Sequence, residues 1–365
     1  MQTIVIKAEQ ERLDADGIRK AAGILRDGGL VVFPTETVYG LGADGTNPRA
    51  VLKVFAVKGR PPDNPLLLHI SKVEQLDAVA ASVPGVARRL VDRFWPGPLA
   101  IILQKSESVP REVTAGLDKV GVRMPGHPIA LEFLSACGVP VAAPSANISG
   151  RLSPTCLEDV IEDLGGKVDC IIDGGNCPVG IESTVIDVTG EQPMVLRPGA
   201  VPVEALESVI GPVAVRRSAG SARAVDAESA GSSGGHAPVD RYEHYRPRAP
   251  VVLFEGGPDA RASALGNEVV RLTSEGKTVG VAALSESIAR LKDTVGSRFR
   301  AEEMGSASDP SSVAARVFSA LRALDRKGVD VILVEGIEES GVGLAVMNRL
   351  RQAAGNNIVR CRSDR

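Results

Sequence analysis

Three short stretches of this chain join an apolar run to a polar cluster. Phe33-Pro34 leads into Thr35-Glu36-Thr37, and Ala143-Pro144 leads into Ser145-Ala146-Asn147-Ile148-Ser149. The run Val120 to Val122 leads into Arg123-Met124-Pro125. In α/β sheets, ligands bind beyond the carboxyl ends of strands, where loops converge. One such loop alone is better explained as turn chemistry, because Ser, Thr, Asn and Pro are ordinary turn residues. Three together, with arginine among them, point to a shared site.

The segment Lys58-Gly59-Arg60-Pro61-Pro62-Asp63-Asn64-Pro65 carries two cations and three prolines. A stiff loop loses less entropy when it grips a ligand. Arg60 offers a planar fork suited to phosphate oxygens, and Lys58 a point charge. The same residues also fit a solvated basic loop that complements a helix C-terminus. Arg197, in Val195-Leu196-Arg197-Pro198-Gly199, has the same two readings. Ser183-Thr184 enters an apolar run as strand-edge residues or as ligand contacts. His69 ends the run Leu66-Leu67-Leu68, where a lone histidine is more often a satisfied core residue than a catalyst.

The sequence lacks a G-x-x-x-x-G-K-[ST] phosphate loop, a G-x-S-x-G nucleophile elbow and a His pair at metal-ligand spacing. A G-x-G-x-x-G stands at Gly40 to Gly45, but Pro34 to Tyr39 separates it from its strand, so the tight strand-to-helix turn is missing. The inventory is rich in Arg, Lys, Ser, Thr and Asn, with no evident covalent nucleophile. Such a site holds phosphates and positions reactants.

The elements that must carry these loops alternate between strand and helix. Asp14 or Asp16 caps a helix with Ile18, Ala21, Ala22 and Leu25 on one face, and Gly28-Gly29 ends it. Asn47-Pro48 opens a second helix. Apolar runs at Leu30 to Phe33, Leu66 to Ile70, Leu99 to Leu103, Val120 to Val122, Val139 to Ala143, Cys170 to Ile172 and Thr184 to Val188 read as strands. Ser218 to Pro238 is rich in Ser, Gly and Ala, which is linker chemistry. After it, Val251 to Phe254, Val279 to Ala283 and Val331 to Val334 read as strands of a small parallel sheet. Ser312 to Arg326 and Leu344 to Ala354 read as its helices. The expected organisation is a catalytic domain over 1–215, a flexible linker with a candidate lid segment over 216–248, and a Rossmann-like domain over 249–365.

The composition agrees: 365 residues, 44% hydrophobic and 24% charged, describe an α/β protein with room for a sizeable core. A net charge of −3 and 3% aromatics argue against stable tRNA binding. The cysteine count is odd, with no C-x-x-C pair, which fits a reducing, cytoplasmic setting. No apolar run is long enough to span a membrane, and Met1 to Gln10 is not a signal peptide.

Taken in order, the motifs resemble the YrdC family. They are Pro34-Thr35-Glu36-Thr37-Val38-Tyr39-Gly40-Leu41, Lys58-Gly59-Arg60-Pro61 with Asn64-Pro65-Leu66, Phe94-Trp95-Pro96-Gly97-Pro98, Val122-Arg123-Met124-Pro125, Ala143-Pro144-Ser145-Ala146-Asn147, Glu182-Ser183-Thr184-Val185 and Leu196-Arg197-Pro198-Gly199. His244-Tyr245 and the run Gly343 to Leu350 are similar to the long two-domain form. The resemblance implies a YrdC-like twisted mixed sheet plus a smaller Rossmann-like α/β/α domain. It implies a nucleotidyltransferase that makes L-threonylcarbamoyladenylate and pyrophosphate from ATP, bicarbonate and L-threonine, with Mg²⁺ accompanying ATP and no protein metal ligands. The intermediate would pass to tRNA threonylcarbamoyl transferase proteins.

By the same resemblance, Thr37, His69, Arg123, Ser183 and the backbone at Ala143 surround threonine. Arg60, Asn64, Lys119, Ser145, Ser153, Arg197 and Tyr245 surround ATP, and Lys58 and Arg60 assist the chemistry. Lys119 departs from the family, which commonly has a small hydroxyl residue there. Ala237 to Arg241 replaces the usual Ser-Pro-Gly-Met stretch. The rivals are a carbamoyl-adenylate-forming relative, whose extra zinc-finger and acylphosphatase-like modules this chain lacks, and an RNA-binding module.

Overall fold

The structure, a computed structural model, describes residues 2–8, 14–216 and 245–361. The chain divides into two compact units: Met1–Ser149 with Ser153–Tyr242, and Gly150–Leu152 with Glu243–Arg365. The linker core Ser218 to Pro238, with Tyr242 and His244, lies outside the described residues.

In chain order the first unit's strands are β1 (Ile4–Lys7), β2 (Val31–Phe33), β3 (Gly40–Asp44), β4 (Leu67–His69), β5 (Leu99–Gln104), β6 (Lys119–Arg123), β7 (Val141–Ala143), β8 (Cys170–Asp173), β9 (Thr184–Asp187), β10 (Met194–Arg197) and β11 (Ala214–Val215). They form one 11-stranded sheet in the order β1-β8-β2-β3-β7-β4-β6-β5-β9-β10-β11. The sheet is mixed: β4–β6 and β5–β9 run parallel, while β3–β7, β4–β7, β5–β6 and β9–β10 run antiparallel.

Helices cover it where their apolar faces demand burial. In Ala15–Arg26, Asp14 accepts from Gly17 N as the N-cap, and Ile18, Ala21, Ala22 and Leu25 are buried. They meet Ile129, Phe133 and Leu134 of the helix Pro128–Cys137 and Val31, Phe33 and Ile172 of the sheet. In Pro48–Lys58, Asn47 caps the start, and Gly59 closes the end at φ 62°, where a side chain would be strained.

The glycine-rich run at Gly40 to Asp44 is a central strand paired to β2 and β7, a strand that sequence periodicity does not reveal. A Cβ at Gly42 would stand 2.9 Å from Val141 Cγ1, so this glycine serves close packing rather than a phosphate turn.

The second unit has β12 (Val251–Gly256), β13 (Val279–Leu284), β14 (Arg300–Gly305), β15 (Val331–Glu335) and β16 (Ile358–Cys361), all parallel, in the order β14-β13-β15-β12-β16. The helices Pro258–Ser274 and Ser285–Val295 pack together, as do Pro310–Arg326 and Gly343–Ala354. The all-parallel sheet with its helices is the Rossmann-like class expected for it, though its strand order differs from that of the dinucleotide fold. Arg300–Gly305 is a polar edge strand, and its alternation is too weak to read from sequence.

Candidate active site in the first unit

Sheet register assembles the site. His69 on β4 pairs with Arg123 on β6, Arg123 with Ala100 on β5, Ala100 with Val185 on β9, and Val185 with Arg197 on β10. Directly paired residues face the same side of a sheet. His69, Arg123 and Arg197 therefore stand in one cross-strand row, with the small Ala100 and Val185 between. A β-bulge between Val195 and Arg197 brings Arg197 into that row.

Arg123 is the hub. It is 4% exposed, with Nη1 donating to Thr37 Oγ1 at 2.9 Å and Nε to the Gly97 carbonyl at 3.3 Å. Nη2 stands 2.6 Å from Glu36 Oε1. Thr37 is held in turn by a Thr35 turn: the two hydroxyls are 2.9 Å apart, and Thr35 Oγ1 accepts from Thr37 N and Val38 N. His69 is 5% exposed, and its Nδ1 has no hydrogen-bond partner among the described residues. Burial, and then the Arg123 charge, push its pKa down to about 3, so the imidazole is neutral.

The loop after β7 is organised by Lys58. Its ammonium, on a residue 2% exposed, donates to the Ser145 carbonyl at 2.5 Å and to the Asn147 carbonyl. Burial, and then Arg60, hold its pKa well below the usual lysine range. Ser145 Oγ donates to Asn147 Oδ1 at 2.6 Å. Arg60 locks its own turn, with Nε on the Asn64 carbonyl at 2.9 Å and Nη2 on Asn64 Oδ1 at 2.7 Å. Ala143, at the end of β7, is 3% exposed.

Arg197 closes the other flank. It donates to the Ser183 carbonyl and to Ser183 Oγ. Thr184 N donates to the Pro98 carbonyl at 3.0 Å, beside the Gly97 that Arg123 holds. Ser153 Oγ donates to Glu182 Oε1 at 2.5 Å, and Tyr39 N to the Pro154 carbonyl. The Trp95–Pro96 bond in this neighbourhood is cis.

The structure thus brings together Thr37, His69, Arg123, Ser183 and Arg197, with Lys58, Arg60, Asn64 and Ser145 organised as a second cluster. Lys119 stands four residues before Arg123 on β6 and pairs with Asp187 at 2.9 Å. Tyr245 belongs to the second unit, where its ring stacks on Phe318 at 5.3 Å and carries the Arg349 guanidinium 5.4 Å from its centre.

Glu36, Asn147 and Glu182 escape sequence reasoning as functional candidates. Each lies inside a quoted motif, but an Asn or Glu among turn residues gives no signal of where its side chain is buried. None of the five cysteines is in a disulfide, and burial pushes the Cys137 thiol up to about 12 and the Cys170 thiol to about 11, so these two are protonated at neutral pH. Among the described residues no helix is long and apolar enough to cross a membrane.

Comparison with known proteins also finds two parts, divided earlier in the chain than the two compact units. A family model described as "Telomere recombination" (Sua5, YciO and YrdC) matches residues 23–199, and one described as "Threonylcarbamoyl-AMP synthase, C-terminal domain" matches residues 201–355. The chain is 47% identical over 362 residues to threonylcarbamoyl-AMP synthase of Pyrococcus abyssi, covering 98% of this chain and 99% of the relative. It is 41% identical over 347 residues to that of Bacillus subtilis, covering 94% of each. The crystal structure of P. abyssi Sua5 complexed with L-threonine superposes with a TM-score of 0.87 at 45% identity, covering 99% of this chain and 100% of that one.

Proposed function

The chain belongs to the Sua5–YciO–YrdC family, in its two-domain form with a Sua5 C-terminal domain, and from that premise we propose that it is a threonylcarbamoyl-AMP synthase. It takes ATP, bicarbonate and L-threonine and releases threonylcarbamoyl-AMP and pyrophosphate, which makes it a nucleotidyltransferase. The observation that carries this reading is the end-to-end likeness to a threonine-bound relative. The intermediate is destined for proteins that transfer the threonylcarbamoyl group to tRNA, in the cytoplasm.

The carbamate of threonine is the nucleophile. One of its oxygens attacks the α-phosphorus of ATP, the bond to the β-phosphate oxygen breaks, and pyrophosphate leaves with the bonding electrons. The protein's task is to hold two anions together long enough for this to occur. Arg123, fixed by Thr37 and Gly97, faces the threonine carboxylate. The neutral His69 and the hydroxyls of Thr37 and Ser183 suit a hydroxyl-bearing side chain, with the Ala143 backbone alongside. Arg60, positioned by Asn64, and Arg197, positioned by Ser183, present forks to phosphate oxygens, with Ser145 and Ser153 as further donors. Lys58 positions the Ser145 loop.

Mg²⁺ would accompany ATP, since it is commonly bound through substrate phosphates. Bound there, it neutralises phosphate charge.

Pyrophosphate release from ATP tests the reading. Release that requires both L-threonine and bicarbonate supports it, and release that ignores either one rejects it.

A further inference from the structure

The second unit carries a groove of about 700 Å³ that no part of the proposed reaction uses. It lies at the amino ends of β13 and β14, between the end of the helix Pro258–Ser274 and the turn at Ser297 to Phe299. Parallel α/β sheets bind small ligands beyond the carboxyl ends of their strands, so this groove opens at the other end. Its lining includes Lys277, Arg298 and Arg300 and no aspartate or glutamate.

The charge of these cations is unspent. Helix carboxyl ends attract cations, but the two ends that border this groove are closed from within. Glu275 N and Ser274 Oγ donate to the Arg271 carbonyl, Lys277 N to that of Leu272, Gly276 N to that of Thr273, and Gly296 N to that of Lys292. Arg298 and Arg300 are exposed, and neither side chain has a hydrogen bond or ion pair among the described residues. Lys277 reaches Glu275 only at 3.7 Å, and Arg271 already holds that carboxylate at 2.5 Å. By contrast, Arg290 is paired with Asp259 and Lys327 with Glu302.

The groove also has an apolar part. Val270 is 41% exposed, and the half-buried Phe299 lines the same groove. A row of phosphates has no use for such surface, and the chain's net charge of −3 and few aromatics already argue against nucleic acid. A peptide whose carboxylates alternate with apolar side chains uses both the cations and the apolar surface.

We propose that this groove docks an acidic peptide segment of a partner protein, with carboxylates on Lys277, Arg298 and Arg300 and an apolar side chain against Val270 and Phe299. Charge complementarity of this kind governs encounter and choice of partner more than raw affinity. A groove of this volume takes one short segment and not the broad face of an obligate complex, so the contact is a transient one.

Fluorescence anisotropy tests it, with the full chain and a labelled peptide alternating glutamate and leucine as the probe. Binding is expected, and it should weaken as salt is raised. Arg298→Glu combined with Arg300→Glu is expected to weaken it at least about tenfold, and Val270→Ser about threefold. Tm and the threonine- and bicarbonate-dependent release of pyrophosphate should stay unchanged, so loss of docking is read apart from failure of the proposed reaction. If the charge-reversed chain does not fold, Arg298→Gln with Arg300→Gln decides on the same criterion. Absence of peptide binding, binding indifferent to these substitutions, or equal binding of polyglutamate overturns the proposal. Tighter binding of an oligouridylate, lost in the same variants, also overturns it and makes the groove a nucleic-acid surface.

Discussion

Arg197 folds back over Ser183, with Nε and Nη2 both donating to the Ser183 carbonyl oxygen at 3.2 and 2.9 Å and Nη2 reaching Ser183 Oγ at 3.2 Å. One side chain thus ties the proposed phosphate contact to the residue that enters β9 beside the Arg123 cluster. Arg197→Lys keeps the charge and loses the fork. It is expected to raise KM for ATP about tenfold and KM for threonine as well, and Arg197→Ala to do so by about 10–100-fold for ATP. Initial rates of pyrophosphate release at varied ATP and threonine decide it. A change in neither constant would remove Arg197 from the site.

Arg60 and Lys119 are expected to behave differently. Arg60 is locked against Asn64, so Arg60→Ala should cost about 10–100-fold in KM for ATP. Lys119 is engaged with Asp187 in a pair whose lysine side chain is 42% exposed, and such pairs contribute about 0–1 kcal/mol. Lys119→Ala should leave both Tm and KM for ATP within narrow limits, about threefold for the latter. A large KM effect would return Lys119 to the nucleotide.

Lys58 spends its ammonium on two loop carbonyls, which is the work of a positioning residue. Lys58→Met would leave the Ser145 and Asn147 carbonyls without their donor, at about 1–3 kcal/mol for each orphaned acceptor. Urea unfolding should show this loss even without ligands. Full stability with impaired ATP turnover would instead mean that the ammonium works on the phosphates.

His69 sets a pH dependence. Its folded pKa, near 3, lies below the ordinary 6.5. Below pH 6.5 the unfolded chain binds a proton that the folded chain refuses, so stability falls as pH drops toward 3, by about 1.4 kcal/mol per unit from this group. Above pH 6.5 both states are neutral and the effect vanishes. His69→Gln should flatten the slope of unfolding free energy between pH 6 and 4 by that amount. Identical slopes would contradict a buried neutral imidazole.

Tyr245 sits at φ 60°, a conformation costly for any residue with a Cβ, and is held there by Phe318 and Arg349. Arg248 N and Ala249 N, just after it, both donate to the Asp325 carboxylate. Tyr245→Ala is expected to destabilise the second unit by about 3 kcal/mol in thermal unfolding, while Tyr245→Phe changes little. The candidate lid role is read separately, as ATP consumed per threonylcarbamoyl-AMP recovered: a rise in the Ala variant supports it, and an unchanged ratio makes Tyr245 an anchor alone.

Much of this is legible in the sequence because it is local. Asn47-Pro48 marks a helix start whatever surrounds it, and the prolines around Arg60 and Arg197 mark stiff turns. Gly40 to Asp44 is not legible as a strand, because glycine there serves neighbours that only the folded sheet supplies. The order of motifs carries the family, and with it the threonine and ATP groupings. That Glu36 points its carboxylate at Arg123 is hidden, since the contact joins the loop between β2 and β3 to the distant strand β6. The engagement of Lys119 by Asp187 is hidden for the same reason: it depends on strand register.

The cross-strand row also makes the sheet a ruler. Three interstrand steps separate Arg123 from Arg197, about 14 Å at the usual spacing. Side-chain substitution cannot stretch that distance, because the backbone ladder sets it. The strand β5 contributes no candidate group of its own, yet it lies between the two arginines. Deleting one residue from its middle would turn half of its side chains to the wrong face and shift its register against β6 and β9. New substrate preferences in such a scaffold are therefore free to arise in the loops, while the backbone spacing between Arg123 and Arg197 stays constant.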